Sequence, residues 1–485
     1  MADALFRCRL SAPAVPLPHV WEHTVGSCHA PLALRADWQN QLRRCHDELG
    51  FQYVRFHGLL SDNLGTLVRH RNRLVYSFFN ADRIVDFLLS IGMRPFVELS
   101  FMPTALASGS ATIFSYRGNV TPPTDYQQWA ELIRRLVGHW TARYGRDEVR
   151  RWYFEVWNEP NLSAFWAGTQ AQYFELYRHT VEAIKGVDAA FQVGGPATAA
   201  NAWLTDFLDY CTLHGLPADF VSTHHYPNDP LWSAAQDTEG ELAGGQRGIL
   251  REWTRTARHQ AGGRPLLYTE WNASSNPRYP RQDEPYAAAF AAKSALEASE
   301  FVEAYSFWTF TDIFEENYFP SVPFHGGFGL LNLHGVPKPT YRAFELLHLM
   351  GEERLPVEGS HETVDAWAAR RGDRIMVLLT NHTLPRHPIA TECVRLELAD
   401  VPPPRKATLE RIDNNHANAK VVWKAMGEPE YLDRVQVEVL EAASRLVAER
   451  HRWRYEGRTA HFEVELPPHA VAALTIELPA EGLGQ

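Results

Sequence analysis

Trp152-Tyr-Phe-Glu-Val-Trp-Asn158 is a short, mostly apolar run that breaks into Glu159-Pro160. Aromatic and β-branched residues favour a strand, and a proline placed directly after it favours a stop. Seven further runs share this design. They are His19-Val-Trp-Glu22, Tyr53-Val-Arg-Phe-His57, Arg94-Pro-Phe-Val-Glu-Leu-Ser100, Phe191-Gln-Val-Gly-Gly195, Phe220-Val-Ser-Thr-His224, Pro265-Leu-Leu-Tyr-Thr-Glu270 and Ala304-Tyr-Ser-Phe-Trp308. Longer amphipathic stretches separate them, with helix candidates over 81–91, 124–144, 170–185 and 285–298. Strand-like runs alternating with helical ones predict parallel β/α units, and eight of them predict an α/β fold, a (β/α)8 TIM barrel over residues 16–350.

Outside those limits the texture changes. Segments such as Arg374-Ile-Met-Val-Leu-Leu-Thr380, Thr459-Ala-His-Phe-Glu-Val-Glu-Leu466 and Ala470-Val-Ala-Ala-Leu-Thr-Ile-Glu-Leu478 predict a β-sandwich over 351–485. A helical patch at 430–447 interrupts it. Residues 1–15, with the apolar stretch Ala4–Leu10, are expected to add a strand to that second domain.

Composition narrows the function classes. The 485 residues are 45% hydrophobic and 22% charged with a net charge of −11, values of a folded globular chain rather than a disordered one. A net negative charge gives no reason to seek phosphate backbones or anionic lipid, so neither nucleic acid nor membrane is an expected partner. The start, Met1-Ala-Asp-Ala-Leu-Phe-Arg-Cys8, lacks the apolar core of a secretory signal, and the expected location is cytoplasmic. Five widely spaced cysteines (Cys8, Cys28, Cys45, Cys211, Cys393) form no CxxC pair and are expected to be reduced. The 15 Trp, 18 Tyr and 25 Phe supply flat apolar faces that suit sugar rings as well as cores.

The barrel reading gives polar strand ends a common destination, because the loops after the strands of such barrels converge on the active site. His57, Asn158, Glu159, His224, Tyr226, Glu270 and Trp308 all lie at such ends. Glu159 and Glu270 are expected on the fourth and seventh strands. Two carboxyl groups across one barrel mouth meet the needs of glycosidic bond cleavage: one protonates the leaving oxygen and the other faces the anomeric carbon. The bulky residues before Glu159 (Trp152, Phe154, Val156, Trp157) favour a neutral acid there, which leaves Glu270 as the ionised partner. Adjacent His224 and His225 do not suggest a metal site, since neighbours on a strand point to opposite faces; no metal or other cofactor is expected.

Several stretches resemble glycoside hydrolase family 39, close to its bacterial β-xylosidases. They are Arg55-Phe-His-Gly58, Phe96-Val-Glu-Leu-Ser-Phe-Met-Pro103, Tyr153-Phe-Glu-Val-Trp-Asn-Glu-Pro-Asn161, Ser222-Thr-His-His-Tyr-Pro227, Thr269-Glu-Trp-Asn272 and Pro323-Phe-His-Gly-Gly-Phe-Gly-Leu330. In the second domain, Arg411-Ile-Asp-Asn-Asn-His416 and Gly427-Glu-Pro-Glu-Tyr-Leu432 extend the likeness. It implies a retaining exo-glycosidase that removes β-1,4-linked xylose from the non-reducing ends of xylo-oligosaccharides. Glu159 would be its acid/base and Glu270 its nucleophile. By the same resemblance, Asn158 would bind the sugar 2-hydroxyl, and His57, His224 and Tyr226 would be sugar-binding positions. Trp308 would lie under the ring, Glu315 and Glu316 would accept from its hydroxyls, and Phe114 would line the subsite.

Other activities of that family remain alternatives at this stage: α-L-arabinosidase, α-L-iduronidase or endo-acting polysaccharide hydrolase. The absence of an arginine beside Asp312, Glu315 and Glu316 disfavours a carboxylate-bearing uronide. A non-catalytic carbohydrate-binding barrel is a different class of reading, and the presence of both glutamates argues against it. A homo-oligomer is a possible assembly.

Overall fold

The computed structural model describes residues 4–229 and 237–479. Eight parallel strands close into a barrel in the order Thr24–His29, Tyr53–His57, Arg94–Glu98, Tyr153–Glu155, Gln192–Ala199, Phe220–His225, Leu266–Trp271 and Ala304–Phe307. Each strand is followed by a helix on the outside: Ala36–Leu49, Phe79–Ser90, Tyr126–Tyr144, Gln170–Lys185, Leu204–Leu213, Ile249–Gln260, Pro285–Ala298 and Pro339–Leu349. Local chemistry sets several starts. Asp125 accepts from the backbone N–H of Gln127 and Gln128, and Thr169 forms a reciprocal capping box with Gln172.

One strand differs from the sequence reading. Val20–Glu22 is a turn of 3₁₀ helix, and the first barrel strand is the following Thr24-Val-Gly-Ser-Cys-His29. Its small residues are required by packing. A Cβ on Gly26 would stand 2.5 Å from Trp308 Cε3, and Ser27 Oγ accepts from the Trp38 indole at 2.9 Å.

The barrel interior is layered. Tyr53, Phe96, Tyr153, Phe220, Leu267 and Ala304 fill its lower end. Two residues further along the strands come Arg55, Glu98, Glu155 and Thr269, all buried. Side chains at i and i+2 share a face, so the same inward row turns from apolar to ionic as it approaches the strand ends.

Two sheets form the second unit. Ala4–Arg9 pairs parallel with Glu392–Ala399, which pairs antiparallel with Thr459–Leu466; the facing sheet contains Val364–Arg371, Arg374–Asn381, Lys406–Ile412 and Val471–Glu477. Within the helical patch expected at 430–447 lies the helix Arg434–Ala443, started by an Asp433/Gln436 capping box, and a further helix, Ala419–Ala425, precedes it outside the expected range. Strand Arg374–Asn381 is buried on both faces from its second residue onwards: Ile375, Val377 and Leu379 point into the sandwich, while Met376 and Leu378 join the barrel core. That double burial explains a continuous apolar run in place of alternation.

The long loop after the last barrel strand is fastened by a buried ion triad. Lys338 Nζ lies 2.7 Å from Asp283 Oδ1 and 2.6 Å from Asp312 Oδ2, and it donates to Gly327 O at 3.0 Å. The Asp283 and Asp312 carboxylates accept from the N–H groups of Gly326 and Gly329. The glycines are needed for this close approach: a Cβ on Gly327 would stand 2.3 Å from Asp312 Oδ1. Removing one partner from a buried ion cluster strands the others. Lys338→Met is therefore expected to destabilise the protein by about 3–5 kcal/mol, read as a fall in urea midpoint at constant m-value.

Candidate active site

Arg55 and His57 share the inward face of the second strand, and the site is assembled around them. Arg55 has no solvent exposure. Its Nε donates to Glu155 Oε2 at 2.6 Å, Nη1 to Glu270 Oε1 at 2.7 Å and Nη2 to Asn158 Oδ1 at 2.9 Å, with Glu98 Oε2 also 2.9 Å from Nη2. A guanidinium cannot accept, so it fixes the orientation of each partner. In particular, Asn158 must turn its carbonyl towards Arg55, which leaves its amide N–H groups to donate elsewhere.

Glu159 lies beyond the fourth strand on a contorted turn. Trp157 and Glu159 are both left-handed, with φ of 71° and 45°, conformations that cost non-glycine residues energy. The fifth strand holds the turn: Glu159 N–H donates to Ala197 O at 2.8 Å, and the Asn161 side chain bonds both the N–H and the C=O of Ala199. Glu270 comes from the seventh strand, where Tyr226 donates its hydroxyl to Oε2 at 3.0 Å. His224 Nδ1 lies 3.0 Å from Glu159 Oε1 and 3.7 Å from Glu270 Oε2. One oxygen of Glu159, one oxygen of Glu270 and a ring nitrogen of His224 all lie within 4.8 Å of one another. By distance alone this trio could hold a cation; Arg55 already supplies Glu270 with its counter-charge.

Burial raises the carboxyl pKa of both glutamates, but unequally. At Glu159 the nearby Glu270 and Asp229 carboxylates raise it further, whereas at Glu270 the Arg55 and His57 cations oppose the rise. The pair therefore carries its proton on Glu159 and its charge on Glu270. The bulky residues before Glu159 contribute less directly than the sequence suggests. Trp152 and Phe154 face outward, against Trp140 and Phe191.

His57 Nδ1 donates to Glu98 Oε2 at 2.6 Å, leaving Nε2 3.8 Å from both Glu270 and Glu316. Burial works against a charged imidazole here, yet the carboxylates of Glu98, Glu270 and Glu316 raise its pKa above the usual value. The walls are aromatic. The Trp308 ring lies 4.8 Å from His57, and Phe114, half-buried, stacks 6.3 Å away on another side. Phe114 is backed by Tyr116 and Phe165.

The structure thus brings His57, Asn158, Glu159, His224, Tyr226, Glu270, Trp308 and Glu316 together, with Phe114 at the edge. Glu315 departs from its expected position as a hydroxyl acceptor in the site. It is engaged instead by Arg35 at 3.2 Å and His29 at 3.5 Å, which hold its carboxylate away from Glu316. Sequence reasoning missed Arg55, Glu98, Glu155 and Thr269 as site components. The available signal was Arg55 itself: a cation on the inward face of a barrel strand requires buried carboxylates around it.

Glu316 has a polar oxygen without a hydrogen-bond partner among the described residues and a pKa raised to about 8, through burial and then the charges of Glu270 and Glu98, with His57 opposing. A carboxyl that binds its proton more tightly when folded stabilises the protein at low pH and loses that contribution as pH rises towards 8. Between about pH 5 and 8, wild type should lose up to about 1.4 kcal/mol per pH unit more than Glu316→Gln. Urea titrations over that range check the difference.

Comparison with known proteins locates this chain in a family. The family model for glycosyl hydrolases family 39 matches residues 6–460. A β-xylosidase of Caldicellulosiruptor saccharolyticus is 49% identical over 463 residues, covering 94% of this chain and 95% of the relative. A β-xylosidase of Geobacillus stearothermophilus is 38% identical, covering 94% and 92%. Among solved structures, a monomeric β-xylosidase from Caulobacter crescentus CB15 superposes with a TM-score of 0.86 at 32% identity, covering 98% of this chain and all of that one.

Proposed function

The chain belongs to glycosyl hydrolases family 39, and from that membership we propose that this glycoside hydrolase is a retaining exo-β-xylosidase acting on the non-reducing ends of xylo-oligosaccharides. The observation that carries the stereochemistry is the approach of Glu159 and Glu270 oxygens to within 4.8 Å. Retention uses carboxyl groups about 5–5.5 Å apart, whereas inversion needs about 6.5–9.5 Å to admit a water. Kinship to two β-xylosidases along almost the whole chain supports the choice of sugar. His57, Glu159, Glu270 and Glu316 are each at most 8% exposed, which favours a closed pocket for a chain end over an open cleft.

In this mechanism Glu270, ionised beside Arg55, attacks the anomeric carbon as Glu159 gives its proton to the departing glycosidic oxygen. The bond to the leaving group breaks and a glycosyl ester with Glu270 forms. Ester formation removes the negative charge that held the Glu159 pKa up, so Glu159 becomes able to take a proton from water. The resulting hydroxide equivalent attacks the same carbon and releases Glu270. Asn158 directs its amide to the sugar 2-hydroxyl, a contact that strengthens as positive charge develops on the ring. Tyr226 fixes the attacking carboxylate, His57 and Glu316 address ring hydroxyls, and Trp308 and Phe114 provide apolar surfaces.

Residues 16–350 then constitute the catalytic barrel, and the described parts of 1–15 and 351–485 form one accessory domain, residues 1–3 and 480–485 lying outside the described residues. The pairing of Ala4–Arg9 with Glu392–Ala399 supports that division. Five free cysteines suit a reducing compartment.

Initial rates on aryl β-D-xyloside, α-L-arabinosides, β-D-glucoside and α-L-iduronide should be highest for the xyloside, and NMR should detect β-xylose before its α anomer. A dominant glucoside or iduronide rate, or α-xylose first, would remove the proposal. Glu270→Gly should abolish turnover. Glu159→Ala should lose about 10²–10⁴-fold on substrates whose leaving group needs a proton, and azide should restore turnover of activated aryl xylosides by forming β-xylosyl azide.

A further inference from the structure

Behind the two glutamates runs a chain of buried hydrogen bonds whose donors can be counted. Arg55 Nε donates to Glu155 Oε2 at 2.6 Å. Glu155 Oε1 accepts the Thr269 hydroxyl at 2.8 Å. Thr269 has one proton, and this bond uses it, so towards His224 Nε2, 3.0 Å away, its oxygen can only accept. Nε2 must therefore carry a hydrogen. His224 is fully buried, and its burial, followed by the charges of Arg55 and His57, keeps the ring neutral. A neutral imidazole has a single N–H. Nδ1 is then a bare lone pair, 3.0 Å from Glu159 Oε1.

We propose that Arg55, Glu155 and Thr269 act as positioning residues that lock His224 in its Nε2–H tautomer, so that Nδ1 holds the proton on Glu159 in the resting enzyme. This rests on the acid/base role assigned to Glu159 above. A Glu159 carboxylate would confront the lone pair of Nδ1; a carboxyl group donates to it. The opposite tautomer requires Thr269 to donate to Nε2, which would deprive Glu155 of a hydrogen bond in a buried place. The same repulsion reappears once Glu159 has given up its proton, and it strengthens Glu159 as the base in the second half of the reaction. The other ionisable groups facing Glu159 are Glu270 from the seventh strand, Asp229 from the loop after the sixth, Glu316 from the loop after the eighth and Arg55 from the second; those facing His224, besides Glu159, are Glu270, 3.7 Å from Nδ1, and Arg55, His57 and His225. None of them exchanges a hydrogen with Nδ1 of His224 among the described contacts, so the tautomer is controlled from the Thr269 side.

Long-range ¹⁵N–¹H spectra of histidine-labelled full-length protein, with His224→Gln to assign the resonance, should show His224 as the Nε2–H form. An Nδ1–H or doubly protonated ring overturns the proposal, and this measurement is independent of any activity. In Thr269→Val the ring is released to donate from Nδ1 to a Glu159 carboxylate. The basic limb of the pH profile of kcat/KM on aryl β-xyloside should then move down by about one pH unit, and Thr269→Ser should restore it. A basic limb unmoved in Thr269→Val also overturns the proposal. Should wild type hydrolyse no aryl β-xyloside, the substrate reading fails while the spectra still decide the tautomer.

Discussion

A single guanidinium buried in the barrel organises the site. Arg55 holds Glu98, Glu155, Glu270 and Asn158 at 2.6–2.9 Å without access to water. Burying a charge is unfavourable unless its partners are close and directional, and here each partner gains an orientation from the contact. Glu270 points an ionised oxygen at the site, Asn158 keeps its amide free to donate elsewhere, Glu98 orients His57, and Glu155 begins the chain that ends at Glu159. The geometry of both glutamates is thus set from one residue on a strand that contributes neither of them.

The charges around it explain why the two catalytic carboxyls differ. Five glutamates, 98, 155, 159, 270 and 316, surround two cationic side chains, Arg55 and His57. Burial opposes every charge in this cluster, and Arg55 offsets that cost where it bonds a carboxylate directly. Glu159 and Glu316 make no bond to Arg55, and burial and then neighbouring carboxylates raise their pKa values; Glu270 is raised by burial too, with Arg55 and His57 opposing. Glu98, held by His57, Ser100 and Arg55, has its pKa lowered despite its burial. Burial raises both catalytic carboxyls, and the surrounding charges then separate them: Glu270 and Asp229 push Glu159 further up, while Arg55 and His57 hold Glu270 back.

Much of this was legible in the sequence, though unevenly. Seven of the eight barrel strands announce themselves as apolar runs with polar exits, and the helices Gln170–Lys185 and Pro285–Ala298 begin and end where their patterning places them. The first strand is hidden because Gly26 and Ser27 are chosen for Trp308 and Trp38, contacts made with residues distant in the chain or on the next helix. Thr459–Leu466 alternates because one of its faces meets water; Arg374–Asn381 does not because both are covered. In the site, Glu159 and Glu270 stand in distinctive contexts, but nothing local separates Glu315 from Glu316. Their difference depends on Arg35 and His29, some 280 residues earlier.

The double covering of that inner sheet bears on the site as well. Pro285–Ala298, the helix that follows the Glu270 strand, is buried almost throughout, and five of its first eight residues are alanine. Small side chains let a helix approach a sheet closely on more than one side, and this one lies between the barrel and the strands Arg374–Asn381 and Val471–Glu477. Its one lysine, Lys293, pairs with Glu297 and reaches Asp365 of the second unit, which also binds Arg247. An alanine-rich helix has little apolar area of its own with which to grip the barrel. It relies on Met376, Leu378, Val471 and Ala473 to close the same core from outside. The sandwich therefore acts as the outer layer of the barrel at the seventh unit, covering the helix that packs behind the strand supplying Glu270.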